Sequence, residues 1–340
     1  MANLPQLDPS LSNKDVDFHL WTISYGGHYG PAFYDYFYKH NLAIGNGTEN
    51  GTQMNMGTLG IINGIIDIRI QAPYFSIFAN NNTYGYKAVN DSVYTFMEHV
   101  YRMPGGCKTY LKLCTVEDRS TFHGKVTCAI ATHLCYQWIG FIYRKLAGRG
   151  QYDIRRPRDS ESNSFVEFLN LADTQAALGV SIKYTDPASS GVYEGFFDYG
   201  DLAYPTFKTD LEGLLQKGVR VALFYGDADW MCNWMGGEAV SLALEFGGQK
   251  EFKAAGYAPL VVDEKEYGLV RQYGNFSFAR IYESGHSIPF SQPKVSLEFF
   301  RRTLEGLSVS DGLVRAGKSY KTNGTAEATH TESDVPLAME

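Results

Sequence analysis

The chain has no block of Lys and Arg longer than a few residues, and its formal net charge is −7 over 340 residues. Nothing in it steers toward nucleic acid or an anionic membrane surface, so neither partner class is expected. No run of about 18 apolar residues is present, which argues against a membrane-spanning helix. No internal repeat is found, which sets aside solenoids and propellers. The first 18 residues, MANLPQLDPSLSNKDVDF, lack both the basic and the apolar regions of a signal peptide. Cysteine is scarce at five residues, and no pair stands at the two-to-four-residue spacing usual for zinc ligands.

What is present is a globular composition, 44% apolar and 14% aromatic, enough to fill a sizeable core. Four of the cysteines, Cys107, Cys114, Cys128 and Cys135, are spaced seven, fourteen and seven residues apart. Three pairings can be drawn among them. The nested one, Cys107–Cys135 around Cys114–Cys128, suits a helical hairpin with sulfurs two turns apart, and disulfides are preferred over a metal site. Six acceptor tripeptides begin at Asn46, Asn50, Asn81, Asn90, Asn275 and Asn323. Together with the cysteines they favour an oxidising, glycosylating secretory route. A secreted or vacuolar destination without a leader in the sequence leads to the expectation that the true N-terminus is missing.

Short apolar runs at 18–23 (FHLWTI), 58–62 (TLGII), 219–225 (VRVALFY) and 278–282 (FARIY) read as buried strands. Aromatics at helical spacing over 30–40 and an amphipathic stretch at 209–216 alternate with them, which predicts an α/β fold with a mostly parallel sheet. Residues 87–205 break that rhythm. They hold the four cysteines and the polar stretch RRPRDSESN at 155–163, and are expected to form an inserted helical cap. The core is then divided into 1–86 and 206–317. Residues 318–340, polar and without apolar period, are expected to be a disordered tail.

Ser24 lies where the first strand turns into the first helix, the position of a nucleophile elbow. Gly26 supplies one of the two small residues such a turn uses, but Thr22 stands at the other. The local pattern alone leaves Ser24 between a nucleophile and a structural turn. An acid and then a histidine must follow, each beyond a later strand. Asp227 and Asp229 follow the third run and His286 the fourth, and the chemistry does not choose between the two aspartates. The remaining histidines, at 19, 28, 40, 99, 123, 133 and 330, read as surface or packing residues.

These motifs resemble the serine carboxypeptidases, in particular the fungal secreted branch: SYGGHYGP at 24–31, ING at 62–64 with Asp67, GDADWMCNWMG at 226–236, and SGHSIPF at 284–290 followed by Gln292 and Pro293. The resemblance spans about residues 15–305 and implies an α/β-hydrolase fold whose cap carries the nested disulfides. It implies a serine-type carboxypeptidase acting on peptides, with Ser24 as nucleophile, His286 as base and Asp229, rather than Asp227, as acid. It further implies an oxyanion-hole N–H from Tyr25, a pocket bordered by Tyr25, Met231, Cys232 and Ser287, and neither metal nor organic cofactor.

Two departures accompany the match. Family members carry Gly-Glu before the serine, where Thr22 and Ile23 stand here, and the glutamate helps hold the substrate carboxylate. Thr22, being β-branched, is expected to crowd the elbow and strain or displace the serine. The Asn-Gly-Gly-Pro-Gly segment that supplies the second oxyanion donor is not found in these 340 residues, nor are the strands that precede the elbow. The run at 18–23 is therefore expected to form an apolar sheet edge. Alternatives to a working carboxypeptidase are a catalytically impaired or dead truncated homologue and an acyltransferase or esterase-like member.

Overall fold

The computed structural model describes residues 17–157, 164–185, 190–204 and 206–332. Six strands are described: β1 Asp17–Ile23, β2 Asn55–Ile62, β3 Arg220–Gly226, β4 Ala258–Val262, β5 Lys265–Tyr273 and β6 Phe276–Ile281. They form one sheet in the order β1-β2-β3-β6-β5-β4. The pairs β1–β2, β2–β3 and β3–β6 are parallel, and β6–β5 and β5–β4 antiparallel. Strand β3 is central and covered on both faces, which is why its sequence reads as a continuous apolar run. Val221, Leu223 and Tyr225 join the larger core, while Ala222 and Phe224 join a smaller one with Val295 and Phe299.

Among the helices of the described residues are α1 Gly26–Gly45, α2 Cys107–Val116, α3 Phe122–Thr132, α4 Ser190–Asp198, α5 Thr206–Gln216, α6 Trp234–Ala243 and α7 Pro293–Leu304. The long excursion between β2 and β3 is helical. In it α2 and α3 form a hairpin carrying the nested pairs Cys107–Cys135 and Cys114–Cys128. Cys135 sits just beyond α3, in a π-helical segment His133–Trp138. No helix among the described residues is long and apolar enough to cross a membrane.

The sheet differs from expectation at both ends. The hairpin β4–β5 has no counterpart among the expected strands. Its turn, Asp263–Glu264, takes positive φ at both residues (47° and 62°) without the glycine that usually announces such a turn. The stretch expected to be a disordered tail is bound to the fold as far as Glu332. Thr325 exchanges both backbone hydrogen bonds with Tyr257 (2.7 and 3.0 Å), and the Ala326 carbonyl accepts from Arg271 (2.7 Å). This stretch serves backbone pairing and offers carbonyls that accept from buried arginines, rather than apolar packing. Residues 333–340 of that stretch, and 158–163 of the polar cap stretch, lie outside the described residues. Strand β1 stands at the sheet edge among the described residues. Trp21 packs on Phe299 and Phe300 of α7 (ring centroids 6.1 and 5.0 Å).

Candidate active site

Parallel strands deliver their following residues to one edge of the sheet. The ladder continues a step beyond each strand end: Ser24 N–H donates to Ile62 O (3.0 Å), Asn63 N–H to Phe224 O (2.8 Å) and Asp227 N–H to Ile281 O (2.9 Å). Three residues at this edge, Ser24, Asn63 and Glu283, hold positive φ of 63°, 42° and 52°. For residues other than glycine this is a strained conformation, found where a side chain must be aimed.

The elbow keeps its shape with threonine in place of a small residue. Thr22 Oγ1 donates to the Gly26 carbonyl (2.9 Å), turning the crowding side chain into a tie across the turn. The tie depends on Gly26, because a Cβ there would lie 2.5 Å from Thr22 Cβ. Tyr25, next in the chain, begins the first turn of α1, where backbone N–H groups have no partner within the helix.

Beyond β3 and β6 the two aspartates separate. Asp229, fully buried, lies 2.7 Å from His286 Nδ1 through Oδ2. The same oxygen accepts from Asn63 Nδ2 (2.8 Å), and Oδ1 accepts from Met231 N–H (3.0 Å). Asp227 turns away: Tyr84 donates to its Oδ1 (2.6 Å) and Arg280 lies 3.7 Å from Oδ2. Burial pushes the Asp227 carboxyl up to about 6, the Arg280 charge opposing.

The helical insertion anchors the loops after β3 and β6. The Tyr152 carbonyl accepts from His286 N–H (2.8 Å), its ring lies 4.9 Å from the imidazole, and the Gln151 carbonyl accepts from Trp230 and Met231 (3.2 and 2.9 Å). Cys232 is buried, with its thiol hydrogen-bonded to the Ser24 hydroxyl. Burial raises that thiol well above its ordinary pKa, Asp229 adding to the effect, so it stays protonated and does not compete as a nucleophile. Of the expected pocket residues, Tyr25 and Cys232 adjoin Ser24, Met231 is buried beside Asp229, and Ser287 is exposed next to His286. Ligand-type atoms of Asp229, Cys232 and His286 lie within 4.8 Å of one another, as do those of Asp227, His330 and Glu332. Both sets are already partnered, the second by a His330–Glu332 bond (2.9 Å) and the nearby Arg280.

Sequence reasoning assigned no role to Asn63, Tyr152 or Asp201. Asn63 had a signal, an amide residue between a strand end and Gly64. Asp201, which accepts from Tyr25 OH (2.8 Å), had none, because only the cap fold brings it to the elbow.

A strained serine between strand and helix, with an aspartate–histidine pair beyond later strands of the same sheet, is the arrangement of an α/β-hydrolase. A model described as serine carboxypeptidase matches residues 6–306, and the chain belongs to the serine carboxypeptidase family. Carboxypeptidase S1 homolog A of Arthroderma otae is 40% identical over 346 residues, covering 96% of this chain and 53% of that protein. Carboxypeptidase S1 of Penicillium janthinellum is 32% identical over 296 residues, covering 86% of this chain and 68% of the relative. Among solved structures, Kex1(delta)P, a prohormone-processing carboxypeptidase from Saccharomyces cerevisiae, shares the fold with a TM-score of 0.64 at 20% identity, covering 95% of this chain and 68% of that one. The chain spans about half the length of several curated relatives it matches.

Proposed function

We propose that the chain is a serine-type carboxypeptidase that removes the C-terminal residue of peptides through an acyl-enzyme. The observation that carries this reading is the 2.7 Å Asp229–His286 pair, with Asp229 oriented by Asn63 and Met231, at the edge where Ser24 is held at positive φ. The names of its relatives support the same reading.

Ser24 Oγ attacks the carbonyl carbon of the last peptide bond while His286 Nε2 takes the hydroxyl proton. Asp229 holds His286 with its proton on Nδ1 and stabilises the imidazolium. The Tyr25 N–H donates to the oxyanion. Collapse breaks the C–N bond, and the proton on Nε2 passes to the departing amine. Water then attacks the ester, giving its proton to the same nitrogen, and Ser24 is regenerated. No metal or organic cofactor enters these steps. The two disulfides and the six acceptor tripeptides support passage through the secretory pathway, to the exterior or a vacuole.

Hydrolysis of a blocked dipeptide tests the assignment. Ser24→Ala and His286→Ala should abolish turnover, and Asp229→Asn should lower kcat about ten-thousandfold. Asp227→Asn should stay within about tenfold of the parent, since its carboxylate serves Tyr84 and Arg280. Equal losses at both aspartates would overturn the assignment of the acid.

A further inference from the structure

The side chain beside the nucleophile is held from the cap. Asp201 lies in a single 3-10 turn, Asp201–Ala203, and its Oδ2 meets both Tyr25 OH (2.8 Å) and His28 Nδ1 (3.2 Å). His28 is 1% exposed and stacks on Phe207 of α5 at 4.0 Å, so its ring has no room to turn. Its Nε2 has no hydrogen-bond partner among the described residues. The imidazole therefore carries its proton on Nδ1, where a carboxylate awaits it, and leaves Nε2 as a bare lone pair. Asp201 Oδ2 thus accepts from two donors on the first turn of α1. Burial works to raise the Asp201 carboxyl, but the hydrogen bonds from His28 and Tyr25 prevail and keep it below its ordinary range. Arg119 stands 3.8 Å from Oδ1, its guanidinium 4.0 Å from the Tyr204 ring.

The turn that carries Asp201 rests on a disulfide. Gly200, at φ 66°, lies so close to α3 that a Cβ would stand 2.4 Å from the Cys128 carbonyl carbon. The bridged Cys114 Sγ is 3.5 Å from the Ala203 carbonyl oxygen. Phe196 of α4 sits edge-on to the Tyr25 ring at 5.6 Å. Both the hydroxyl and the ring face of Tyr25 are therefore met by cap residues, while its backbone belongs to the elbow.

We propose that Asp201 is a positioning residue: it locks the Tyr25 side chain as a rigid wall of the pocket for the residue before the scissile bond, so that the cap sets side-chain preference at that position. The proposal rests on the carboxypeptidase reading. Without the carboxylate the Tyr25 phenol loses its acceptor and the ring its fixed rotamer, and the pocket stops discriminating by shape.

The test compares the parent chain with Asp201→Ala, Asp201→Asn, Tyr25→Phe and the Asp201→Ala/Tyr25→Phe double variant. Substrates are blocked dipeptides differing only in Phe or Ala before the scissile bond. Asp201→Ala and Tyr25→Phe should each change the Phe-to-Ala ratio of kcat/KM about tenfold, the size of one hydrogen bond to a charged acceptor, with most of the change in KM. The double variant should change the ratio no further than Asp201→Ala alone, which already removes the Tyr25 bond together with the one from His28. Asp201→Asn, which keeps an acceptor oxygen, should restore most of the ratio. A uniform fall across substrates, or additive losses in the double variant, overturns the proposal. Backbone hydrogen exchange read by mass spectrometry needs no turnover. Asp201→Ala should speed exchange in residues 25–30 and Asp201→Asn should not, and unchanged exchange in both overturns the link. A parent chain that hydrolyses no blocked dipeptide defeats the carboxypeptidase reading; exchange measured on Tyr25→Phe, which removes the Tyr25 bond and keeps the His28 bond, then decides the link by itself, faster exchange in residues 25–30 supporting it and an unchanged rate overturning it.

Discussion

Ile23 closes β1 immediately before Ser24 and is 42% exposed, an aliphatic chain presented at the sheet edge that carries Ser24. Family members carry glutamate there, able to share a proton with the free carboxylate of a peptide. Isoleucine offers neither donor nor acceptor. A hydrogen bond to a charged partner is worth about 1.5–3 kcal/mol, so under the proposed function recognition of a free C-terminus should be roughly ten- to hundredfold weaker than with glutamate at this position. Under the same reading the exposed isoleucine should favour neutral esters and amides over free acids, which is the observation on the side of an esterase-like activity. Ile23→Glu should lower KM for free-acid dipeptides by that factor relative to their amides, as measured by steady-state kinetics on matched pairs. An unchanged ratio would show that other groups hold the carboxylate. The neighbouring Thr22 shows how a residue-level departure is absorbed, its hydroxyl tying to Gly26 O instead of pushing the helix away.

At the scale of elements, the segment after residue 318 and the end of β6 form one polar cluster behind the acid loop. Arg280 donates to the carbonyls of Ala328 and His330 and to Thr83 Oγ1, lies 4.0 Å from the Trp234 ring, and faces Asp227. Tyr84, Arg155, Glu332 and His330, whose ring bonds Glu332 at 2.9 Å, are the other charged and titratable groups around Asp227. A carboxyl held near 6 in the fold against about 3.9 unfolded binds its proton more tightly when folded. Its stabilisation is complete below about pH 4 and is lost as pH rises through about 6, a swing of about 3 kcal/mol. The stability of the parent relative to Asp227→Asn should therefore fall between pH 4 and pH 7, and denaturant melts at those two values read it. A difference that stays flat with pH would mean that Arg280 fully compensates the buried charge. None of this cluster was legible in the sequence. Strands with nearly unbroken apolar runs, β1, β2, β3 and β6, announced themselves, as did the order of serine, acid and histidine. The β4–β5 hairpin and the bound segment after residue 318 did not, because a turn without glycine and a backbone-paired polar stretch leave no periodic trace. The choice of Asp229 over Asp227 was equally invisible to residue chemistry. It depends on which carboxylate the loop after β3 aims at His286, and that is fixed by Asn63 from a neighbouring strand.

Across the whole molecule, the six acceptor tripeptides differ in how their asparagines are engaged by the fold. Five of the acceptor residues, Asn46, Asn50, Asn81, Asn90 and Asn323, are exposed. Asn90 caps a helix through its oxygen, which accepts from Val93 N–H (2.9 Å), and leaves its amide nitrogen for a glycan. Asn275 differs: it is only partly exposed, and its Nδ2 donates to the Gly218 carbonyl at 2.6 Å, tying the turn before β6 to the segment leading into β3. A glycan is attached through that same nitrogen, so modification of the folded chain at Asn275 would have to break the tie. Expression through a eukaryotic secretory pathway, followed by glycosidase release in heavy-oxygen water, marks each occupied asparagine by mass. The five exposed residues should carry the label and Asn275 should be largely free of it. Because acceptors are modified as the chain emerges, full occupancy at Asn275 would mean that the β5–β6 turn forms late, after its asparagine has been taken.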